Sequence, residues 1–537
     1  MKRFIIGCFV SIVLLLQACD SALDVSPKNA VTFTNYFKTE QDLESLMVGM
    51  HAWLADALKV FYAQEYVGVI SESEPYYVPG SIRSHRWENI CEWQDFYAVI
   101  YQCNLLFDNV KKPVCSQDRM DFYFGQAKFI KAMAYFELGR RWGDAVITGS
   151  TEDAPQLAKR PAVEVLDTAL ASAMAAYKLL PKHEDLKDRV GRTITSKQYG
   201  SKGTCAALIA NIYAWRAVMD KGITADKSME YWGKVDEWTS KIIDTDECGH
   251  YELENSIKDL VLETMNKRGG KESIFELELN VDDKSLENLA YNSAYLFVGF
   301  PLVPRALPGD IAMNGWSLSN DRIKAMYPDN DERRQEYFYK IDDYSHPDSV
   351  AKYGNYAFVY KYRSCYYTTD GVGNASFVNF DVNKVYWRLA DLILLRAEAR
   401  YHLGNESGAI EDLDRIRKRA NAVLFEDAPE ADLKMAIFRE REKELLFEDQ
   451  RFWDVMRNGY EKTELPEFYR EALTDVDINN GALYLPVPPG AFYLNPLMLQ
   501  NIYWLNKLYY LEVADYQLFA VNTVEKWIGY YLWGYGK

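Results

Sequence analysis

Residues 385–421, VYWRLADLILLRAEARYHLGNESGAIEDLDRIRKRAN, decide how the chain is read. Apolar or small side chains recur at steps of three and four (Leu389, Leu392, Ile393, Leu395, Ala397, Ala399), Gly404 interrupts, and Ala409, Ile410, Leu413 and Ile416 resume the period. That pattern predicts two amphipathic helices joined by a short turn. Ala397 and Ala409 stand where the two helices must cross closely, too closely for a large side chain. The stretch therefore reads as a helix-pair packing unit.

Their separation is that of the small residues in a tetratricopeptide-type hairpin. Other stretches carry the same helical period. One helix begins near Thr39 with Leu43, Leu46, Met47, Met50, Trp53, Leu54 and Leu58 on one face, and another holds Trp93, Tyr97, Ile100 and Asn104. Residues 125–138 are answered by 163–180, which Pro181 ends, and 206–219 by 231–243. At least three helix pairs follow, and stacked pairs bury one another's faces. Residues 255–385 break the period. Ser273–Leu279 alternates as a short strand, residues 356–367 suit another, and Pro, Gly and Asn cluster between them. The expected fold is mainly α, a scaffold of tetratricopeptide-like pairs with an irregular, loop-rich insertion containing a few short strands.

Composition narrows the function. The 537-residue chain is 48% hydrophobic, enough for a large core, and its net charge is −17. Removing Lys2 and Arg3 with the N-terminal leader takes the charge to −19. Nucleic acid is excluded as a partner, because binding it rests on many Lys and Arg contacts to phosphate. The 39 Tyr and 13 Trp suit a surface that stacks flat apolar faces as well as an ordinary core.

Lys2-Arg3, an apolar run from Phe4 to Leu16, and Leu16-Gln17-Ala18-Cys19 form a bacterial lipoprotein signal. Cys19 is the expected lipidation site, and more than one acyl chain there would anchor the protein stably. The six cysteines that remain besides Cys8 form no CxxC or Cys/His cluster, so zinc is not indicated and buried thiols are expected. No GxSxG, HExxH, Walker A loop or strand-borne GxGxxG occurs. Six scattered His offer no i,i+4 pair, and adjacent acids such as Glu72/Glu74 or Asp342/Asp343 say little in a chain with 78 acidic residues. No catalytic residue, metal or cofactor is expected. Residues 439–451, REREKELLFEDQR, read as a solvated helical face with i,i+3 and i,i+4 ion pairs.

Several of these stretches resemble one family. Arg388-Leu389-Ala390-Asp391 with Glu398-Ala399, the Trp93/Tyr97/Ile100/Asn104 spacing, Arg140-Arg141-Trp142-Gly143-Asp144, the 439–451 helix and the endings Leu485-Pro486-Val487-Pro488 and Asn495-Pro496 are similar to the SusD/RagB family of outer-membrane nutrient-binding lipoproteins. Ala145-Val146 stand where that family usually has Pro. The resemblance covers nearly all of the chain from Cys19 to Asn501. It implies a leader (1–18), a lipidated tether (19–38), an N-terminal helical region (39–254), a C-terminal region (255–501) and an atypical aromatic-rich tail (502–537). It further implies anchoring to the outer membrane, outward exposure, and a SusC-like TonB-dependent barrel that the lipoprotein caps while delivering oligosaccharide, or peptide in some relatives, without breaking bonds. A lipid-anchored protein-interaction scaffold is the alternative.

A sugar ring offers a face of C–H groups and an edge of hydroxyls, so aromatic planes with a few polar side chains suffice to hold it. Loops on a rigid scaffold are where such residues belong. The candidates are Tyr76, Tyr77, Arg83 and Trp87 from the first loop region, and Tyr291, Tyr295, Asn314 and Trp316 from the insertion.

Overall fold

The computed structural model describes residues 37–70, 91–153, 156–220, 222–278, 293–310, 312–313, 315–428, 432–493 and 495–505. The leader and Cys19 lie outside the described residues, as do all but the first four residues of the 502–537 tail. Long helices dominate: α1 (Glu40–Lys59), α2 (Gln94–Asn109), α3 (Gln117–Arg141), α4 (Ala162–Leu179), α5 (Lys202–Met219), α6 (Ala225–Ile243), α7 (Leu389–His402), α8 (Glu406–Arg419), α9 (Leu433–Glu444) and α10 (Arg451–Asn458). They pair as α1·α2, α3·α4, α5·α6 and α7·α8, and successive pairs pack through α2 on α3, α4 on α5 and α6 on α7. The fourth pair is the stretch quoted first. It rejoins the stack after an excursion of some 145 residues.

Local chemistry sets the helix ends. Thr39 and Asp42 close a capping box at the start of α1, and Asn405 accepts from the Gly408 amide to start α8. Gly404, at φ +74°, makes the left-handed turn between α7 and α8. Ala397 and Ala409 are fully buried where those helices meet.

Helix α3 packs closely against α4 and its C-cap Leu180. A Cβ on Gly125 would stand 2.7 Å from the Leu180 side chain, and one on Gly139 would stand 2.9 Å from Leu166. Gly125→Ala is therefore expected to destabilise by about 1–3 kcal/mol through overpacking. Gly233→Ala is the contrasting case, in mid-α6 with nothing within 4 Å of its added Cβ. It should stabilise by about 0.5–1 kcal/mol. Denaturant midpoints of the two variants check both signs.

Two apolar cores result. The larger runs through the helix stack and includes Trp142, Tyr135, Trp232, Trp387 and Trp504. The smaller belongs to the insertion, around Tyr327, Tyr337, Phe338, Phe377 and Phe447. Strand β1 (Ser273–Leu277) pairs antiparallel with β4 (Lys384–Arg388), Glu276 opposite Val385, and bridges the insertion to α7. β2 (Cys365–Thr369) and β3 (Ala375–Phe380) form a separate hairpin. Of the strand expected over 356–367, only isolated bridges at Tyr356 and Val359 form before β2 begins at Cys365. The six cysteines of the described chain are free thiols, four of them buried.

The charged helix is where the sequence misleads. Glu440, Arg441 and Glu444 of α9, with Glu448 beyond it, are 6% exposed or less, not solvated. Arg388 donates to Glu272 (2.7 Å), Glu444 (2.8 Å) and Glu448 (2.8 Å). Arg333 reaches Asp331, Glu440 and Glu444; Arg419 reaches Glu272 and Glu444; Arg417 holds Glu440, and Lys361 holds Glu448. Five cations and five carboxylates thus form one formally neutral network at the junction of the two cores. Helical charges at i,i+4 look alike whether they face water or partners from remote segments.

Candidate functional site

The insertion brings rings to the surface. Residues 337–339 run antiparallel to 358–360: the Tyr339 amide donates to Phe358 O (2.9 Å) and the Tyr360 amide to Tyr337 O (2.7 Å). This pairing buries Tyr337 and Phe338 in the second core and leaves Tyr339 and Tyr360 partly exposed side by side, ring centroids 5.1 Å apart. Lys340 then adopts φ +45°, turning the chain into the short helix Ile341–Tyr344. The helix Pro347–Tyr353 follows, capped by His346 and ended by Gly354 at φ +84°.

The turns gather a patch. Phe300 lies 5.6 Å from Tyr339, 5.8 Å from Tyr344 and 5.5 Å from Phe358. Tyr339 and Tyr344 are near parallel at 6.2 Å, and Tyr353 stands edge-on to Tyr344 at 6.0 Å. Phe358 is buried beneath, while Phe300, Tyr339, Tyr344, Tyr353 and Tyr360 are partly exposed. Polar groups rim the rings. Lys340 and Lys352 stand over Tyr339 and Tyr353, Arg363 stacks 4.4 Å from Tyr360, and Asp343 is exposed. Burial raises the Tyr344 hydroxyl pKa, so at neutral pH it is a neutral donor and acceptor. Asp342 is tied to Arg334 and Gln335, and the neighbouring Asp343 is exposed. Flat apolar faces ringed by hydrogen-bonding groups are equipped to bind; no nucleophile and base stand together here.

Two of the eight residues chosen from sequence, Tyr295 and Trp316, fall among the described residues. Tyr76, Tyr77, Arg83, Trp87, Tyr291 and Asn314 lie outside the described residues. Tyr295 and Trp316 are each 6% exposed. Tyr295 packs on Phe377 at 6.2 Å, and Trp316 on Phe297 and Tyr66 at 6.1 and 6.2 Å. Both belong to the second core. Trp93 and Tyr97 pack in the stack as a packing stripe should, the Tyr97 hydroxyl donating to Val146 O at 3.1 Å.

The patch residues were missed although a signal existed. Nine of the 39 Tyr fall within residues 337–367. Without a period, that density does not say which rings face outward. Among the described residues no group of three or more His, Cys, Asp or Glu is placed to hold a metal, and no helix is long and apolar enough to cross a membrane.

Comparison with known proteins agrees with the architecture. A model of the SusD family matches residues 189–504, and one described as starch-binding and associating with the outer membrane matches residues 22–213. Two SusD-like proteins of Formosa agariphila are 24% identical over 83% of this chain and 89% of theirs, and 23% identical over 92% and 97%. A SusD homolog from Bacteroides thetaiotaomicron superposes with a TM-score of 0.69 at 22% identity, covering 87% of this chain and 98% of that one. B. fragilis NanU gives 0.64 at 20% identity, covering 89% and 99%.

Proposed function

This chain belongs to the SusD family, whose members are carbohydrate-binding outer-membrane proteins, and on that premise we propose that it is a surface lipoprotein that captures oligosaccharide and hands it to a SusC-like TonB-dependent barrel. The observation that carries the ligand part is the patch of Phe300, Tyr339, Tyr344, Tyr353 and Tyr360. Its ring faces take the C–H faces of sugars, and Lys340, Lys352 and Asp343 take the hydroxyl edge. Tyr76, Tyr77, Arg83, Trp87, Tyr291 and Asn314 remain candidates to extend that face.

Acylation of Cys19 anchors the chain in this reading, and the helix stack is the rigid body that docks on the barrel. Capture and release in this reading require no bond breaking. Oligosaccharide that binds the mature chain should lose about three- to tenfold in affinity with Tyr344→Ala, since one stacked ring contributes about 0.5–1.5 kcal/mol. Trp53→Ala, which removes an exposed ring on α1, should change nothing. Affinity electrophoresis against a glycan panel, repeated with Trp87→Ala, measures this. Equal binding by wild type and Tyr344→Ala would remove the patch from the proposal, and release of reducing ends by the pure protein would replace capture with catalysis. Co-purification of a barrel, rather than of soluble proteins alone, separates the proposal from a simple interaction scaffold.

A further inference from the structure

The last described segment has two apolar faces and covers only one. Residues 495–505 run along the stack with Met498, Gln500, Tyr503 and Trp504 turned inward and buried. Gln500 exchanges hydrogen bonds with the Val487 backbone (2.8 and 3.0 Å), Trp504 Nε1 donates to Tyr484 O (2.8 Å), and the Tyr503 amide donates to Asn480 O (3.1 Å). These bonds fix the segment in place. The alternate side chains must then point out: Tyr493, Leu497, Leu499, Ile502 and Leu505 are between 50% and 70% exposed. Val476, beside the 477–480 turn that receives Tyr503, is 65% exposed as well.

Single exposed apolar side chains need no explanation, but six large ones on two adjoining segments do. The chain itself supplies the occupant. It continues for 32 residues past Leu505, and nine of them are aromatic (Tyr509, Tyr510, Tyr516, Phe519, Trp527, Tyr530, Tyr531, Trp533, Tyr535). The SusD family match stops at residue 504, so the tail lies beyond it and begins at the edge of the bare face.

We propose that residues 506–537 dock on the outward apolar face of Tyr493, Leu497, Leu499, Ile502, Leu505 and Val476, as an intramolecular cover. Tethering at Leu505 gives the tail an effective concentration in the millimolar range, so weak intrinsic affinity suffices. Thirty-two residues extended to about 3.3 Å each can traverse the face more than once.

The test uses the full mature chain and the variant Leu499→Asp/Ile502→Asp, both of whose altered side chains are exposed. Limited proteolysis of the tail should proceed at least tenfold faster in the variant, with an unchanged melting temperature. A synthetic peptide of residues 506–537 should bind the chain ended at Leu505 saturably, and bind the same chain carrying the two Asp substitutions at least tenfold more weakly. Equal tail cleavage in wild type and variant overturns the proposal. So does dimerisation, or binding to phospholipid vesicles, that the two Asp substitutions abolish while the wild-type tail stays freely cleavable; a second copy or a lipid surface would then be the occupant.

Discussion

Glu444→Gln is expected to cost about 3–5 kcal/mol of folding stability, the range for removing one partner of a buried charge network. Glu444 is fully buried and accepts from Arg388 (2.8 Å), Arg333 (3.2 Å) and Arg419. Burial by itself would raise its pKa, yet the three guanidiniums and the Lys361 ammonium outweigh that and hold it far below the usual carboxylate range. Glutamine keeps the shape and discards the charge, so the balanced network is left with one uncompensated cation in a site that excludes water. Chemical denaturation of the two chains measures the difference, and Glu230→Gln, in the exposed pair with Lys227, should leave the midpoint unmoved. A loss for Glu444→Gln no larger than that control would mean that water reaches the network.

Acid should unfold the protein steeply. Glu137, Glu398, Glu440, Glu442, Glu444 and Glu448 are all raised by burial and lowered further by adjacent guanidiniums, with a net depression in each case. A carboxyl whose pKa is lower folded than unfolded contributes stability that is complete above its unfolded value, near 4.5, and is lost as pH falls towards the folded value. Below pH 4.5, each such group still ionised in the fold adds about 1.4 kcal/mol per pH unit to the slope, so six add about 8 kcal/mol per unit. Asp391 and Asp412, which burial holds above their ordinary value, oppose part of this. Melting temperatures between pH 6 and pH 3 should stay level and then drop sharply below about pH 4.5. A flat profile through pH 3.5 would contradict the ionised, buried network.

Helical pairing was legible in the residues because its cause is local. A period of 3.6 within one segment, a glycine at its end and two alanines at a crossing specify a hairpin without reference to the rest of the chain. The pairs formed by α3 to α8 follow from such signals, and the family motifs lie on the same segments. The fate of the 439–451 charges was not legible. Their partners Arg333, Lys361, Arg388 and Arg419 come from other segments that meet only when β1 pairs with β4 and α9 packs beneath them. The ring patch has the same origin. Phe300, Tyr339, Tyr344, Tyr353 and Tyr360 share no period, and the 337–339 pairing with 358–360 decides which rings of a Tyr-rich stretch are entombed and which reach water. Sequence alone therefore determined the scaffold, through contacts between neighbours in the chain. Tertiary structure decided where charge is hidden and where rings are shown, because burial is settled by segments the local pattern cannot see.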